Sequence, residues 1–152
     1  MADAAAPTSS ELADTIEVSR ALAAAPRAAW QALTDSDTLQ AWYGATLTPP
    51  LHTGERTILD FGDGEFITLD NVVVVPTQLV KFDWRVMGIG TATTVRWSIT
   101  DRPTGCLVTV TDVQPRREQR VAERERRGWA GFLRRLELHL SAVDVGRQAA
   151  RG

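Results

Sequence analysis

Two carboxylates stand where this chain could move a proton. Asp112 ends the strand-like run "CLVTVTDV" and shares its parity with Cys106, Val108 and Val110, so all four side chains leave one face. Glu125 lies one helical turn before Trp129 in "ERERRGWAGFLRRLELHL", inside the apolar stripe of that segment. A carboxylate beside an apolar pocket can serve as a general acid or base on a bound molecule. Each also has a plainer reading. Asp112 would be solvated, or cap a turn, if its strand has reached the rim of the sheet. Glu125 would reach water if the helix end flares outward.

The rest of the catalytic repertoire is thin. Cys106 is the single cysteine, which excludes an intramolecular disulfide and any cysteine-rich metal site. A buried, inert thiol explains it. His52 lies in a loop and His139 at the edge of a helical stripe, too isolated for a metal centre. There is no serine–histidine pair, phosphate loop or dinucleotide fingerprint, and no cofactor is implied.

Aromatic side chains are the other conspicuous resource. Trp30, Trp42, Trp84, Trp97, Trp129, Phe82 and Phe132 supply most of the large apolar surface. Core packing explains them by default, yet five tryptophans in 152 residues is a generous supply for a packed core alone. Tyr43, the only tyrosine, could offer a hydroxyl to a ligand or plug the open end of a sheet. Two glycines flank Trp129 and Ala130 within a helix, where each costs about 1 kcal/mol against alanine. Gly128 borders the apolar stripe and would let a strand or ligand approach the backbone; Gly131 faces outward. With Val110 on the strand that ends in Asp112, the expected lining of a binding site is Trp30, Trp42, Tyr43, Phe82, Trp84, Trp97, Val110, Gly128, Trp129 and Phe132.

Composition is that of one ordinary globular domain, 43% hydrophobic and 24% charged. The net charge of −2 argues against a general nucleic-acid binder. Lys81 is the only lysine, and eight arginines crowd between Arg116 and Arg135 against three glutamates. That run reads as a solvated helix face, with a site for an anionic partner as the alternative. No apolar run approaches the length of a membrane span. The opening "MADAAAPTSSELAD" lacks the basic and apolar regions of a secretory signal, so cytoplasmic residence is expected.

The elements that must position these residues follow from periodicity. "TIEVSRALAA" alternates as a first strand; "APRAAWQAL" starts a short helix at Pro26; "TDSDTLQAWYG" caps and closes a second. Strands then follow at 56–61, 65–75, 79–87, 93–100 and 106–113, each with one apolar face, which predicts an antiparallel sheet with one side in water. A final helix runs from about Glu118 to Val145, and Trp129, Phe132, Leu133, Leu136, Leu140 and Val143 fall on one side of it. Only the sheet is broad enough to cover that stripe. The expectation is an α+β fold in which a curved sheet of about six strands wraps a long C-terminal helix. Such an arrangement leaves room for a cavity between them. Residues 1–13 and 146–152 read as disordered tails around one domain at 14–145.

This order resembles the START/SRPBCC superfamily (Bet v 1-like, helix-grip), and within it the homologues of the activator of heat-shock chaperone ATPase (AHSA-type). The likeness rests on "APRAAWQALTDSDTLQAWYG", "GDGEFITLDNVVVVPTQLVKFDW", "TGCLVTVTDV" and "GWAGFLRRLELHL", and covers about residues 15–143. It implies a deep cavity that takes apolar or aromatic small molecules. Related proteins often carry a histidine at the end of the sixth strand, where this chain has Asp112. The expected function is therefore binding of a small hydrophobic, aromatic or polycyclic molecule, in a carrier, sequestration or resistance role. The alternatives are a cofactor-independent cyclase or dehydratase using Asp112 or Glu125, and a co-chaperone-like interaction protein using the arginine-rich helix. Oligomeric state is open, with a homodimer among the alternatives.

Overall fold

Alternation of buried and exposed residues builds the sheet strand by strand. The structure, a computed structural model, describes residues 14–151, with side chains described as far as Val143. Strand β1 (Thr15–Leu22) is followed by helices α1 (Pro26–Thr34) and α2 (Ser36–Tyr43). Then come β2 (Thr46–Thr48), β3 (Thr57–Asp60), β4 (Phe66–Val75), β5 (Leu79–Val86), β6 (Thr93–Arg102) and β7 (Gly105–Val113), and the long helix α3 (Gln119–Arg151). The seven strands form one antiparallel sheet in the order β1-β7-β6-β5-β4-β3-β2. One side of this curved sheet grips α3, which packs against β1, α1 and α2.

Three features depart from the pattern in the sequence. β2 adds a seventh strand; three residues are too few for alternation to register. Strand β4 carries a bulge between Asp70 and Val73, with Asn71 at a φ of 52°, so the buried series switches from Ile67 and Leu69 to Val72. A bulge of this kind bends its strand and so helps curve the sheet. Helix α3 continues to Arg151, beyond the expected end at Val145, and Val143 is 38% exposed rather than part of the buried stripe. The tail expected at 1–13 lies outside the described residues.

Local chemistry sets the helix ends. Pro26 occupies the first turn of α1, where its missing N–H costs nothing. Asp35 accepts the Thr38 backbone N–H at 3.0 Å to cap α2, and Gly44 ends that helix in the left-handed region at a φ of 87°. The Trp42 indole N–H donates to the Ala32 carbonyl at 2.8 Å, tying the two short helices together. In the β6–β7 turn, a side chain at Gly105 would stand 1.9 Å from the Leu22 carbonyl oxygen, so only glycine fits beside β1.

Candidate functional site

The gripping face of β5, β6 and β7 is a grid, and depth within it decides what each residue does. Register places Val80 beside Trp97 and Trp97 beside Val110 in one row. Phe82, Val95 and Asp112 form the next, and Trp84 lies beside Thr93 in the one after. The Val80 row is closed core, each member no more than 1% exposed. At the Asp112 row the helix and sheet part, and a cavity of about 510 Å³ opens between them. Trp84, Thr93 and Gln114 carry it to the rim, where Thr93 Oγ1 donates to Gln114 Oε1 at 3.3 Å.

Helix α3 supplies the facing wall through Glu125, Gly128, Trp129 and Phe132. Trp129 meets Trp84 edge to face at 5.5 Å and Phe132 at 5.3 Å. Tyr43 closes one side, edge-on to Phe132 at 4.9 Å. The mouth is bordered by Val86 and by Ile89, Gly90 and Thr91 of the β5–β6 loop. Val86 and Ile89 are 58% and 74% exposed, an apolar lip held in water. Beyond its chain neighbours and its own helix backbone, no protein atom lies within 4 Å of where a Gly128 side chain would begin. The missing side chain therefore faces open cavity, not a closely packed strand.

Asp112 is neither solvated nor capping a turn. It is 4% exposed, and both its oxygens are engaged. Oδ1 accepts from Arg117 Nη2, and Oδ2 accepts from the Trp129 indole N–H at 2.7 Å. Arg117 corrects the reading of the arginine run as a solvated face. The other seven arginines between 116 and 135 are exposed, while its side chain is fully buried. The chain turns it inward at Arg116, which adopts a φ of 62° and donates its backbone N–H to Asp14 Oδ1 at 2.8 Å. Charged groups are rarely buried without a partner, and Asp112 is the partner here.

Glu125 borders the cavity with its side chain 36% exposed, and its Oε2 lies 3.4 Å from Arg117 Nη1. Burial pushes its carboxyl above the usual glutamate range; nearby Asp112 adds to this, and Arg117 and Arg124 oppose it. A raised carboxyl pKa means that the folded state holds this proton more tightly than the unfolded state does. The charge then costs stability once pH rises through the folded pKa, and costs nothing below the unfolded value of about 4.3. Glu125→Gln is accordingly expected to melt higher than wild type at neutral pH, with the gap closing as pH falls below that value. A melting difference that does not vary with pH would show that Glu125 keeps an ordinary pKa.

Of the residues expected to line a site, Tyr43, Trp84, Gly128, Trp129 and Phe132 border this cavity, as do Asp112 and Glu125. Trp97 and Val110 share strand faces with cavity residues but lie a row too deep and are core, and Phe82, although in the row of Val95 and Asp112, is fully buried and does not border the cavity. Trp42 is buried on α2, and Trp30 packs half-buried against the core; neither borders the cavity. Sequence reasoning missed Thr93, Gln114 and Arg117. The first two were accessible, since Thr93 shares parity with Val95 and Gln114 with Asp112. Cys106 is buried with its thiol pushed up by desolvation, which removes it as a nucleophile at neutral pH. Among the described residues, no group of three or more His, Cys, Asp or Glu side chains could hold a metal, and no helix is long and apolar enough to cross a membrane.

An antiparallel sheet gripping a long C-terminal helix, with an aromatic cavity between them, defines the helix-grip class of the SRPBCC superfamily. Within it, residues 23–141 match the family described as Activator of Hsp90 ATPase homolog 1-like protein, and the chain belongs to that family. Among solved structures it is similar to DynU16, described as a protein in the dynemicin biosynthetic locus, at 32% identity and a TM-score of 0.80. That match covers 85% of this chain and 48% of DynU16, so this chain spans about half of that protein's length. CalU16 from Micromonospora echinospora shares the fold at 16% identity and a TM-score of 0.69, over 83% of this chain and 73% of that one. So does the Aha1 dimer from Colwellia psychrerythraea, at 19% identity and a TM-score of 0.68, over 81% and 92%. No protein of curated function matches the chain.

Proposed function

We propose that this protein binds a small apolar molecule, aromatic or polycyclic, in the cavity between β5–β7 and α3, as a carrier, sequestration or resistance protein. The observation that carries this reading is the cavity itself, about 510 Å³ with aromatic walls and polar groups at one end. Ligand pockets run from about 300 to 1,000 Å³ and have that division of labour. DynU16, encoded in a biosynthetic locus, is a relative whose setting suits such a role. Cytoplasmic action belongs to the same reading, since a lone buried thiol fits a reducing compartment. A homodimer is part of it too, by analogy with the Aha1 dimer.

Trp84 and Trp129 both border the cavity, so a bound polycyclic compound should change tryptophan emission. Titration with a panel of polycyclic aromatics and long-chain lipids is expected to give saturable quenching with at least one aromatic class. Emission unchanged across the whole panel, together with no rise in melting temperature, would remove the carrier reading.

A cyclase or dehydratase is the second reading, favoured by the Glu125 carboxyl at the cavity wall. The Asp112 oxygens are both engaged, so the proton-moving role falls to Glu125 and the positioning role to Asp112. Under this reading Glu125→Gln loses turnover, while Asp112→Asn alters the wall. Full turnover in Glu125→Gln would exclude Glu125 as the acid or base. The co-chaperone-like alternative rests on the exposed arginines of α3, and binding of purified chaperone is its test.

A further inference from the structure

The polar end of the cavity carries an unbalanced charge. Asp112 and Glu125 both border it, and a single guanidinium, that of Arg117, faces the two carboxylates. Arg117 is committed to Asp112 through its hydrogen bond, and its Nη1 stands 3.4 Å from Glu125 without forming one. Arg117 is buried and does not border the cavity, so it offers nothing to an anionic ligand. Arg124, the next cation along, is exposed on α3. One negative charge is therefore left over, and it sits on Glu125, which accepts no hydrogen bond among the described residues. The walls around it, Trp84, Trp129 and Phe132, are aromatic, and the faces of such rings attract cations.

We propose that the cavity selects a flat aromatic or polycyclic molecule that carries a protonated amine, with the ammonium on Glu125 and the rings against Trp84, Trp129 and Phe132. This rests on the ligand-binding reading above and names the chemistry that the site prefers. An ammonium placed there supplies the missing counter-charge and donates to a carboxylate otherwise left unbonded, and such charge-assisted bonds are the stronger kind. Aromatic carboxylates meet two acidic groups and no free cation, so they are excluded. Neutral analogues bind through the walls alone.

Three probes with the same rings separate these cases: naphthylmethylamine, naphthylmethanol and naphthoate, titrated into the full chain by calorimetry at neutral pH. The amine is expected to bind at least about tenfold more tightly than the alcohol, a difference of about 1.4 kcal/mol, with the carboxylate weakest. Glu125→Gln should remove the advantage of the amine over the alcohol, with melting curves confirming that the variant is folded. An alcohol that binds as well as the amine to wild type overturns the charge preference and leaves the cavity reading standing. An amine preference that survives in Glu125→Gln overturns the role of Glu125. If none of the three binds, this inference falls, and the wider panel of polycyclics and lipids decides the cavity reading.

Discussion

Arg117→Ala is expected to lose about 3–5 kcal/mol of folding stability, the cost of leaving a buried charge without its partner. Asp112 keeps only the Trp129 indole N–H in that variant, at a site 4% exposed to solvent. Domains of this size are stable by about 5–15 kcal/mol, so roughly a fifth or more of the total would go, and it is measurable as a fall in the denaturation midpoint. The loss belongs to the orphaned carboxylate and not to the missing arginine as such. Replacing both partners together, as Arg117→Met with Asp112→Leu, should therefore recover part of it, because no charge is then buried and the remaining cost is that of the Trp129 N–H left without its acceptor. A single-variant loss below about 1 kcal/mol would mean that water reaches Asp112 and that the pair is open in solution.

Gly128→Leu should separate binding from stability in the opposite sense. The position is helical and opens onto the cavity, so the first carbon of a side chain there clashes with nothing outside its own helix. Leucine is the better helix former by close to 1 kcal/mol, and the melting temperature is expected to hold or rise. The same side chain occupies the mouth beside Trp129 and Glu125, where a ligand must pass or lie. Overlap of that kind costs roughly 1–3 kcal/mol, a loss of about five- to 150-fold in affinity. Gly131→Leu is the control, since Gly131 is exposed and does not border the cavity. Equal affinity in the two variants would show that the ligand does not use the α3 side of the cavity.

Much of the fold is legible in the sequence because alternation and turn chemistry are local. Val80, Phe82 and Trp84 announce an inner face; Pro26, Asp35 and Gly44 announce helix ends. β2 is too short to carry a period, and the bulge at Asn71 shifts the parity of β4 without changing its composition. The site is less legible for a single physical reason. Parity tells which face a residue occupies and is silent about depth along the strand. Phe82 and Trp84 are two residues apart on one face, yet the first is core and the second is cavity wall. Telling them apart needs the pairing of β5 with β6 and of β6 with β7, together with the line along which α3 lifts away. Arg117 hides for a different reason, standing in a run of otherwise exposed arginines. A signal was present: an aspartate that is buried at the inner parity of β7 needs donors, and Arg117 is five residues on.

The indole of Trp129 is held at its nitrogen by Asp112 while its ring forms the cavity wall. Such a ring cannot swing aside, so this wall is already in its bound shape before any ligand arrives, and binding forfeits little side-chain entropy there. The lip is made differently, from an exposed loop with positive φ at Met87, Gly88 and Gly90 and with Ile89 bare to water. A wall pinned by a hydrogen bond and a rim exposed to water divide the kinetics between them. Changes to Trp129 or Asp112 should be felt in how strongly different ligands are held, and changes at Ile89 in how quickly all of them come and go.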